Sequence, residues 1–484
     1  MSENKDILIF MSDQHTPYFS GFFAHNVDTP NMDKLCEEGT RFDNCVTSSP
    51  LCVPARNSML STLYPHKTGV LTNSGVISNL QPTFLHPFVA KGYETVLCGR
   101  MHFIGEDQRH GFTKRIAEDI TPVGWGRPES LKFERGVHAT TFWHKGATAF
   151  AGAGASPVLT YDDLVISKAL EYLSQPHDKP QLIVVSVYGP HFPYVAPVDL
   201  YKKYLERVKL PRTFYSRPSY NNKVLNFQTN EGISEEKELS ILAAYSALVE
   251  LTDTRLGQVV KAFEEYEAKK GEEGYVAYIS DHGDQCGDRS MYGKSSFFEK
   301  SVKIPFIIKG PSICKNKVSS SPCSIMDLGP TLCDLTGTEK LIDSDGVSLY
   351  PVLIEKDNEG DKDRVVYSEI INLVNWTENV YAMMALKGKY KYISYYGMNE
   401  ILFDMEKDEE ETTNIISDEK EVADEFRKLA KEFVDPEKVI EEKKKLDKYI
   451  KWYKAYEDAV GLDESERWKN TDKANTEYPE ICVK

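Results

Sequence analysis

Hydrophobic positions along this 484-residue chain fall into short β-branched runs that alternate with longer segments of helical spacing. The short runs predict strands at Ile7–Met11, Thr95–Leu97, Leu182–Val187, Tyr275–Ile279 and Ile304–Ile308. Apolar residues recur at helical spacing in Asp162–Leu173 and Glu236–Tyr266, which predicts helices. Strands that alternate with helices are typical of an α/β fold, so we expect a large, mostly parallel sheet flanked by helices.

The pattern changes after about residue 360. A polar break at Asp361–Asp363 is followed by three strand-like runs, Arg364–Ile370, Tyr381–Leu386 and Tyr390–Tyr395. Two sets of apolar residues then recur at helical spacing: Val422, Phe426, Leu429 and Phe433, and after them Leu446, Ile450 and Tyr453. We therefore predict two domains, a catalytic domain of residues 1–362 and a smaller C-terminal α+β domain of residues 363–484 with an antiparallel sheet. The highly charged end of the chain indicates a solvated helical face.

Polar clusters follow four of the predicted strands of the larger domain. They are Ser12-Asp13-Gln14, Arg100 with His102, Pro190-His191, and Ser280-Asp281-His282. In open α/β sheets, ligand sites lie beyond the carboxyl ends of the strands. Segments far apart in sequence are therefore expected to meet at one edge of the sheet and form an enzyme site.

Charge and cysteine content narrow the class of protein. A formal net charge of −16 argues against nucleic acid or an anionic membrane as the main partner. No apolar run approaches the roughly 20 residues that span a bilayer, and Ile7–Met11 is too short for a signal-peptide core. The nine cysteines are scattered, with no C-x-x-C pair to suggest a disulfide framework or a zinc ribbon. We expect a cytoplasmic protein, either monomeric or oligomeric.

One cysteine has unusual neighbours. Cys52-Val53-Pro54-Ala55-Arg56 matches the pattern C-x-P-x-R. Taken alone, this match is equally consistent with a buried cysteine in a proline-broken loop. Six further segments, however, match the motifs of one enzyme family that also has this pattern, and they occur in the order found in that family. They are Asp13-Gln14, Thr29-Pro30-Asn31-Met32-Asp33, Gly99-Arg100-Met101-His102, Pro190-His191-Phe192-Pro193, Ser280-Asp281-His282-Gly283-Asp284 with Gly293-Lys294 after it, and Leu402-Phe403-Asp404. Over nearly its whole length, the chain resembles the sulfatase family of the alkaline phosphatase superfamily.

The resemblance implies a nucleophile made from Cys52. A formylglycine-generating enzyme would oxidise this cysteine to formylglycine, whose hydrated aldehyde is a geminal diol. One hydroxyl would attack the sulfur of a sulfate ester, and the other would then lose its proton and expel sulfate as the aldehyde re-forms. The reaction implied is hydrolysis of a sulfate ester.

The resemblance also implies roles for the remaining site residues. The metal ligands would be Asp13, Gln14, Asp281 and His282. Arg56 would hold the formylglycine, and Lys294 would contact sulfate directly. Arg100 replaces the usual lysine and would grip sulfate bidentately, although it cannot act as an acid. His191 is the candidate acid for the leaving group, and His102 the candidate base that collapses the sulfated diol.

Two of these ligands depart from the commonest family pattern, in which Asp stands at the position of Gln14 and Asn at that of His282. An all-oxygen site suits calcium, whereas a histidine ligand also admits manganese. We expect one divalent ion, calcium by preference, with manganese or magnesium as alternatives. The same two residues also occur in phosphonate monoester and phosphodiester hydrolases of the superfamily, which are the main alternative function. His102 and Lys294 favour the sulfatase.

Two further alternatives concern Cys52 and the substrate. If Cys52 stayed a thiol, the chain would be a non-catalytic binding protein. For the active enzyme, the expected substrate is a small anionic sulfated carbohydrate derived from glycosaminoglycan or mucin, with choline and aryl sulfates as other family substrates. The segment Gly111–Ser156 lacks family motifs but contains Trp125, His138, Trp143 and His144. These side chains could form a wall of the substrate pocket. We favour the alternative that the segment is a surface insertion with buried aromatic residues, because loops tolerate insertions.

Overall fold

The computed structural model describes residues 4–121, 123–125, 147–148, 150–216, 232–371, 380–460 and 480–483. The strands of the first 362 residues are β1 Ile7–Asp13, β2 Thr40–Phe42, β3 Cys45–Val46, β4 Glu94–Gly99, β5 Lys114–Ala117, β6 Ala151–Ala155, β7 Gln181–Pro190, β8 Tyr194–Ala196, β9 Tyr275–Ser280, β10 Phe306–Lys309, β11 Lys317–Ser319 and β12 Cys323–Ser324. The later strands are β13 Val366–Ile371, β14 Tyr381–Lys387, β15 Tyr390–Tyr395, β16 Glu400–Asp404 and β17 Glu480–Val483.

The α-helices among these residues are α1 Pro30–Glu38, α2 Cys52–Ser61, α3 Pro65–Thr68, α4 Leu85–Ala90, α5 Pro157–Leu173, α6 Val198–Leu205, α7 Glu235–Lys270, α8 Glu299–Val302, α9 Leu328–Thr336, α10 Tyr350–Ile354, α11 Lys420–Phe433 and α12 Pro436–Val460. Short 3₁₀ turns lie at Asp288–Ser290 and Ile325–Asp327. No helix in the described part of the chain has the length and apolarity needed to cross a bilayer.

The central sheet has eight strands in the order β11-β2-β10-β9-β1-β7-β4-β5. All of them run in one direction except β10, which is antiparallel to both of its neighbours. The predicted α/β class and the mostly parallel sheet are therefore confirmed. The run Ile304–Ile308 does form a strand, although it starts only at Phe306, and its direction could not be read from an apolar run.

The sheet is buried on both faces, and its central strand β1 is accordingly apolar at every position from Ile7 to Met11. Ile7, Ile9 and Met11 pack in one core cluster, whereas Leu8 and Phe10 pack in another on the opposite face. This division follows from the two-residue period of a strand. Helices α5 and α7 cover the face of Leu8, and α2, α4 and α9 contribute to the other face. Each such side chain contributes roughly 1.5–3 kcal/mol by leaving water.

The C-terminal part contains a second sheet, and its strands β13, β14, β15 and β16 pair antiparallel in sequence order, as predicted. Phe426 of α11 is buried against this sheet and stacks on Tyr392 of β15, with 5.7 Å between ring centroids. On α12, Ile450 is buried but Tyr453 is half exposed, so the predicted apolar stripe of this helix is only partly covered. The domain boundary between residues 362 and 363 stays a prediction.

The strand order places the chemistry at one edge. Strands β9, β1, β7 and β4 are consecutive neighbours and all parallel, so their carboxyl ends meet. Each of these ends leads into one of the four polar clusters. Eight of the nine cysteines are free thiols in the described part of the chain.

Candidate active site

All ten predicted site residues meet at this edge of the sheet, linked by direct contacts or through one shared neighbour. They are Asp13, Gln14, Cys52, Arg56, Arg100, His102, His191, Asp281, His282 and Lys294. All but Lys294 are buried, and Lys294 is partly buried.

Cys52 lies at the centre of the cluster and is the first residue of α2. Its Sγ is 3.1 Å from His282 Nε2, 3.1 Å from Lys294 Nζ and 3.9 Å from Asp13 Oδ1. Burial, the largest influence, raises the pKa of the Cys52 thiol, but nearby Lys294 and a hydrogen bond with His102 bring that pKa below its usual value. The first turn of the helix also favours negative charge at this position.

Four side chains next to Cys52 have the donor set of a divalent-cation site. Ligand atoms of Asp13, Asp281, His282 and Cys52 all lie within 4.8 Å of one another, and all four residues are buried. Burial lowers the pKa of His282 to about 4, so its imidazole is neutral and its Nε2 can act as a ligand. The amide oxygen of Gln14 accepts a hydrogen bond from Lys294 Nζ, which also contacts Cys52 of this cluster. These residues fit a metal ion with oxygen and nitrogen ligands.

Two buried arginines neutralise the carboxylates of the cluster. Arg56 lies one helical turn after Cys52 and donates from Nε to Asp281 at 2.8 Å and from Nη2 to Asp13 at 3.0 Å. Arg100 Nε donates to the same oxygen of Asp13 at 2.5 Å. Burial raises the pKa of Asp13, but Arg100 and Arg56 hold that pKa well below its ordinary value. Asp13 is therefore ionised, as a metal ligand must be.

The guanidinium of Arg100 is fully buried and directed at protein groups. Besides Asp13 it contacts His102 Nδ1 at 2.8 Å and Asp119 Oδ1 at 3.4 Å. The structure therefore shows Arg100 as a support for Asp13 and His102. The bidentate grip on sulfate that was predicted for it stays a prediction.

Asp119 is a site-supporting residue that the sequence analysis missed. It is buried, and its Oδ2 accepts from the backbone N–H groups of Met101 at 3.2 Å and His102 at 2.7 Å. His102 has a left-handed backbone with φ of 58°, a conformation that persists only where the surroundings hold it. Asp119 lies in the segment without family motifs, so no sequence pattern pointed to it.

His191 and Lys294 face each other across the site. Lys294 Nζ is 2.7 Å from His191 Nε2, while His191 Nδ1 is 2.7 Å from the Phe192 carbonyl. Burial, followed by the charge of Lys294, holds the pKa of His191 well below its ordinary value. Lys294 thus contacts Cys52, His191 and Gln14, whose Oε1 lies 2.9 Å from its Nζ.

Only Trp125 of the four residues named in segment Gly111–Ser156 is described. Its indole donates to the Ser74 carbonyl at 2.9 Å, and its ring stacks on Tyr453 of α12 at 4.8 Å. His138, Trp143 and His144 lie outside the described residues.

The fold and the site together are those of an α/β protein in which one buried cysteine lies among candidate metal ligands and cationic side chains. Comparison with known proteins gives the family. The sulfatase family model matches residues 5–338, and the model of the N-sulphoglucosamine sulphohydrolase C-terminal region matches residues 287–438. The chain therefore belongs to the sulfatase family and is a sulfuric ester hydrolase.

Individual relatives agree with this assignment. The choline-sulfatase of Rhizobium meliloti is 31% identical over 434 residues, 85% of this chain and 82% of that protein. The N-acetylglucosamine-6-O-sulfatase of Bacteroides thetaiotaomicron is 25% identical over 426 residues, 74% of this chain and 72% of that protein. The phosphonate monoester hydrolase of Agrobacterium radiobacter shares the fold, with a TM-score of 0.72, 21% identity, and 89% of this chain and 95% of that chain covered.

Proposed function

We propose that the chain hydrolyses the sulfate ester of a small carbohydrate through a formylglycine made from Cys52. The observation that carries this proposal is the position of Cys52 Sγ, 3.1 Å from both Lys294 Nζ and His282 Nε2. When converted, this side chain supplies a hydroxyl nucleophile and an internal route for the release of sulfate. The oxygens of that group would stand where Sγ now stands.

The metal site consists of Asp13, Gln14, Asp281 and His282. A divalent cation bound there would offset the negative charge of the sulfate oxygens. Calcium is the proposed ion because three of the four ligands are oxygen donors, although the imidazole of His282 admits manganese.

The other site residues act on the ester and on protons. Lys294 binds a sulfate oxygen, since its ammonium group lies beside the nucleophile and reaches the least buried side of the cluster. His191 Nε2 lies 2.7 Å from the ammonium group of Lys294, and His191 is the proposed acid that protonates the leaving oxygen. His102, held by Arg100, is the proposed base that takes the proton of the second diol hydroxyl as sulfate is expelled and the aldehyde re-forms.

The carbohydrate part of the substrate is supported by the relatives. The N-acetylglucosamine-6-O-sulfatase aligns with three quarters of this chain, and the C-terminal model is named for an enzyme of N-sulphoglucosamine. The choline-sulfatase is more similar in sequence and makes choline sulfate the main competing substrate. A direct comparison of the two substrates is therefore part of the test.

A phosphonate monoester hydrolase is the second candidate function. It is favoured by the observed set of Gln14 and His282 together with two aspartates, and the fold is shared with such an enzyme. His102 and Lys294, which both approach Cys52, favour the sulfatase.

The test is co-expression with a formylglycine-generating enzyme, followed by mass spectrometry of the Cys52 peptide and assays of sulfate release. We expect conversion of Cys52, turnover of a sulfated mono- or disaccharide above that of choline sulfate, and no turnover by Cys52→Ala. Faster release from choline sulfate would contradict the carbohydrate assignment alone. An unmodified, inactive Cys52 in the presence of the maturing enzyme would contradict the proposed nucleophile.

A further inference from the structure

Asp284 is a fully buried carboxylate next to the candidate metal ligands, and the reaction proposed above gives it no role. Its Oδ2 accepts from Gln14 Nε2 and from the Tyr194 hydroxyl at 2.7 Å. Its Oδ1 accepts from the backbone N–H groups of Cys286 at 2.9 Å and Gly293 at 3.0 Å. Four donors thus converge on one acceptor group, whose own position is fixed by two backbone contacts.

The partner of Asp284 has two chemically different ends. The side chain of Gln14 carries one oxygen that can bind a cation and one NH₂ group that cannot. A carboxylate only accepts hydrogen bonds, so Asp284 selects the orientation in which the NH₂ group of Gln14 faces it. The oxygen of Gln14 then faces the opposite side, where Lys294 Nζ lies 2.9 Å away and itself contacts Cys52.

The backbone of Gln14 is fixed as firmly as its amide. Gln14 has a left-handed conformation with φ of 66°. Its N–H donates to Asp281 Oδ1 at 3.0 Å, and its carbonyl accepts from the Tyr245 hydroxyl at 2.6 Å. With the backbone held in this way, the remaining freedom that matters is rotation of the terminal amide, and Asp284 removes it.

We propose that Asp284 is a positioning residue that fixes the Gln14 amide with its oxygen toward the metal site. This inference rests on the proposed function, in which Gln14 is a metal ligand. Lys294 favours the same orientation, but Lys294 also binds sulfate in the proposed reaction. Asp284 holds the other end of the amide whether or not Lys294 is engaged with substrate.

A donor–acceptor exchange between positions 14 and 284 tests the proposal. In Asp284→Asn, the two backbone donors retain the oxygen of the new side chain, so its NH₂ group takes the place of Oδ2. Two NH₂ groups then oppose each other, and the Gln14 amide either loses its partner or turns its nitrogen toward the metal site. In Gln14→Glu with Asp284→Asn, the net charge is that of the wild type, the asparagine donates to the glutamate, and a carboxylate oxygen faces the site.

The readout is affinity for Mn²⁺ and for Ca²⁺, measured by calorimetric titration of metal-free, full-length protein. We expect Asp284→Asn to weaken binding by about 10–100-fold, the usual effect of removing a group that orients a ligand. Gln14→Glu is expected to strengthen binding far more when it is added to Asp284→Asn than when it is added to the wild type, where two buried carboxylates repel each other. The matched control Tyr194→Phe removes the other donor to Oδ2 and should keep affinity within about threefold of the wild type, since Gln14 keeps its partner.

Equal effects of Gln14→Glu in the two backgrounds would overturn the inference, as would full affinity in Asp284→Asn. If Asp284→Asn fails to fold, the comparison of Gln14→Glu with the double variant still decides, because the proposal requires the double variant to bind more tightly. Wild-type protein that binds neither cation would overturn the metal site of the proposed function together with this inference. Wild-type binding with additive mutational effects would overturn the inference alone.

Discussion

Replacing Asp119 by asparagine tests whether this buried carboxylate holds the loop that carries His102. One side-chain oxygen of Asp119 accepts from Met101 and His102, and the other accepts from Thr121 and Arg100. Asparagine keeps only one of the two oxygens, so at least two hydrogen bonds to a charged acceptor are lost. At about 1.5–3 kcal/mol for each of two bonds, the free energy of unfolding should fall by about 3–6 kcal/mol.

The catalytic effect follows from the conformation of the loop. Either orientation of the asparagine amide breaks one of two contacts that hold His102: the bond of its N–H to position 119, or the contact of that position with Arg100, which binds His102 Nδ1. Loss of either contact lets the imidazole, whose backbone is left-handed, move away from Cys52. Displacement of a catalytic group by about 1 Å costs roughly 100-fold in rate, which is the decrease in kcat/KM that we expect for Asp119→Asn. The assay is sulfate release by formylglycine-containing enzyme, with the thermal midpoint measured on the same preparation.

A matched control separates this effect from the loss of any aspartate–arginine pair. Asp43→Asn breaks a contact with Arg41 in which none of the ten site residues takes part, and it should leave kcat/KM unchanged, with a stability loss of about 1 kcal/mol or less. If Asp119→Asn lowered the thermal midpoint but left kcat/KM at the wild-type value, Asp119 would be a structural residue only. His102 would then keep its position without Asp119, contrary to the effect expected here.

Three further perturbations have expected results. Removal of divalent metal by a chelator should abolish turnover. The free energy of unfolding should fall by only about 3 kcal/mol, which is what a ligand at 100 times its Kd contributes. The loss is small because Arg56 neutralises Asp13 and Asp281 in the metal-free site. Lys294→Ala should lower kcat/KM by about 100–1,000-fold, the usual effect of removing one group that stabilises developing negative charge. Glu238→Gln should flatten the stability profile between pH 4.5 and about 8, since burial raises the pKa of Glu238 from 4.5 to about 8.

Proton binding by Glu238 determines whether the stability of the folded chain rises or falls with pH. Between pH 4.5 and about 8 the folded chain keeps a proton on Glu238 that the unfolded chain has released, so stability falls as pH rises, by up to about 1.4 kcal/mol per pH unit. The Oε2 atom accepts from Tyr292 at 2.5 Å, and Oε1 has no hydrogen-bond partner among the described residues. Thermal midpoints of the two proteins from pH 5 to pH 9 measure the difference, and parallel profiles would contradict it. Unchanged turnover after chelation, or in Lys294→Ala, would contradict the corresponding roles.

Much of the fold was predictable because its central strands are apolar on both faces. The runs Ile7–Met11 and Leu182–Val187 are short and rich in β-branched residues, as strands buried between two layers of helices are. The polar residues after them indicated the edge of the sheet at which the site lies. The antiparallel direction of β10 was not predictable, since an apolar run has no direction. Pairing partners decide it, and those lie far away in sequence.

The site was predictable wherever chemistry depends on a recurring short motif. Cys52 and Lys294 belong to such motifs and do lie together. Asp119 and Asp284 were missed for two different reasons. Asp119 is a single aspartate with no motif around it. Asp284 is the last residue of the motif Ser280–Asp284, in which the family resemblance implies roles only for Asp281 and His282. Their roles depend on hydrogen bonds to groups that sequence spacing does not bring together.

Comparison of sulfate release with phosphonate hydrolysis decides which ester this site hydrolyses. Enzyme with verified formylglycine at position 52 would be given a sulfate ester and a phosphonate monoester that share the same leaving group. We expect a higher kcat/KM for the sulfate ester, and loss of both activities in Cys52→Ala. A higher kcat/KM for the phosphonate monoester would contradict it and would make Gln14 and His282 the better guide to the reaction.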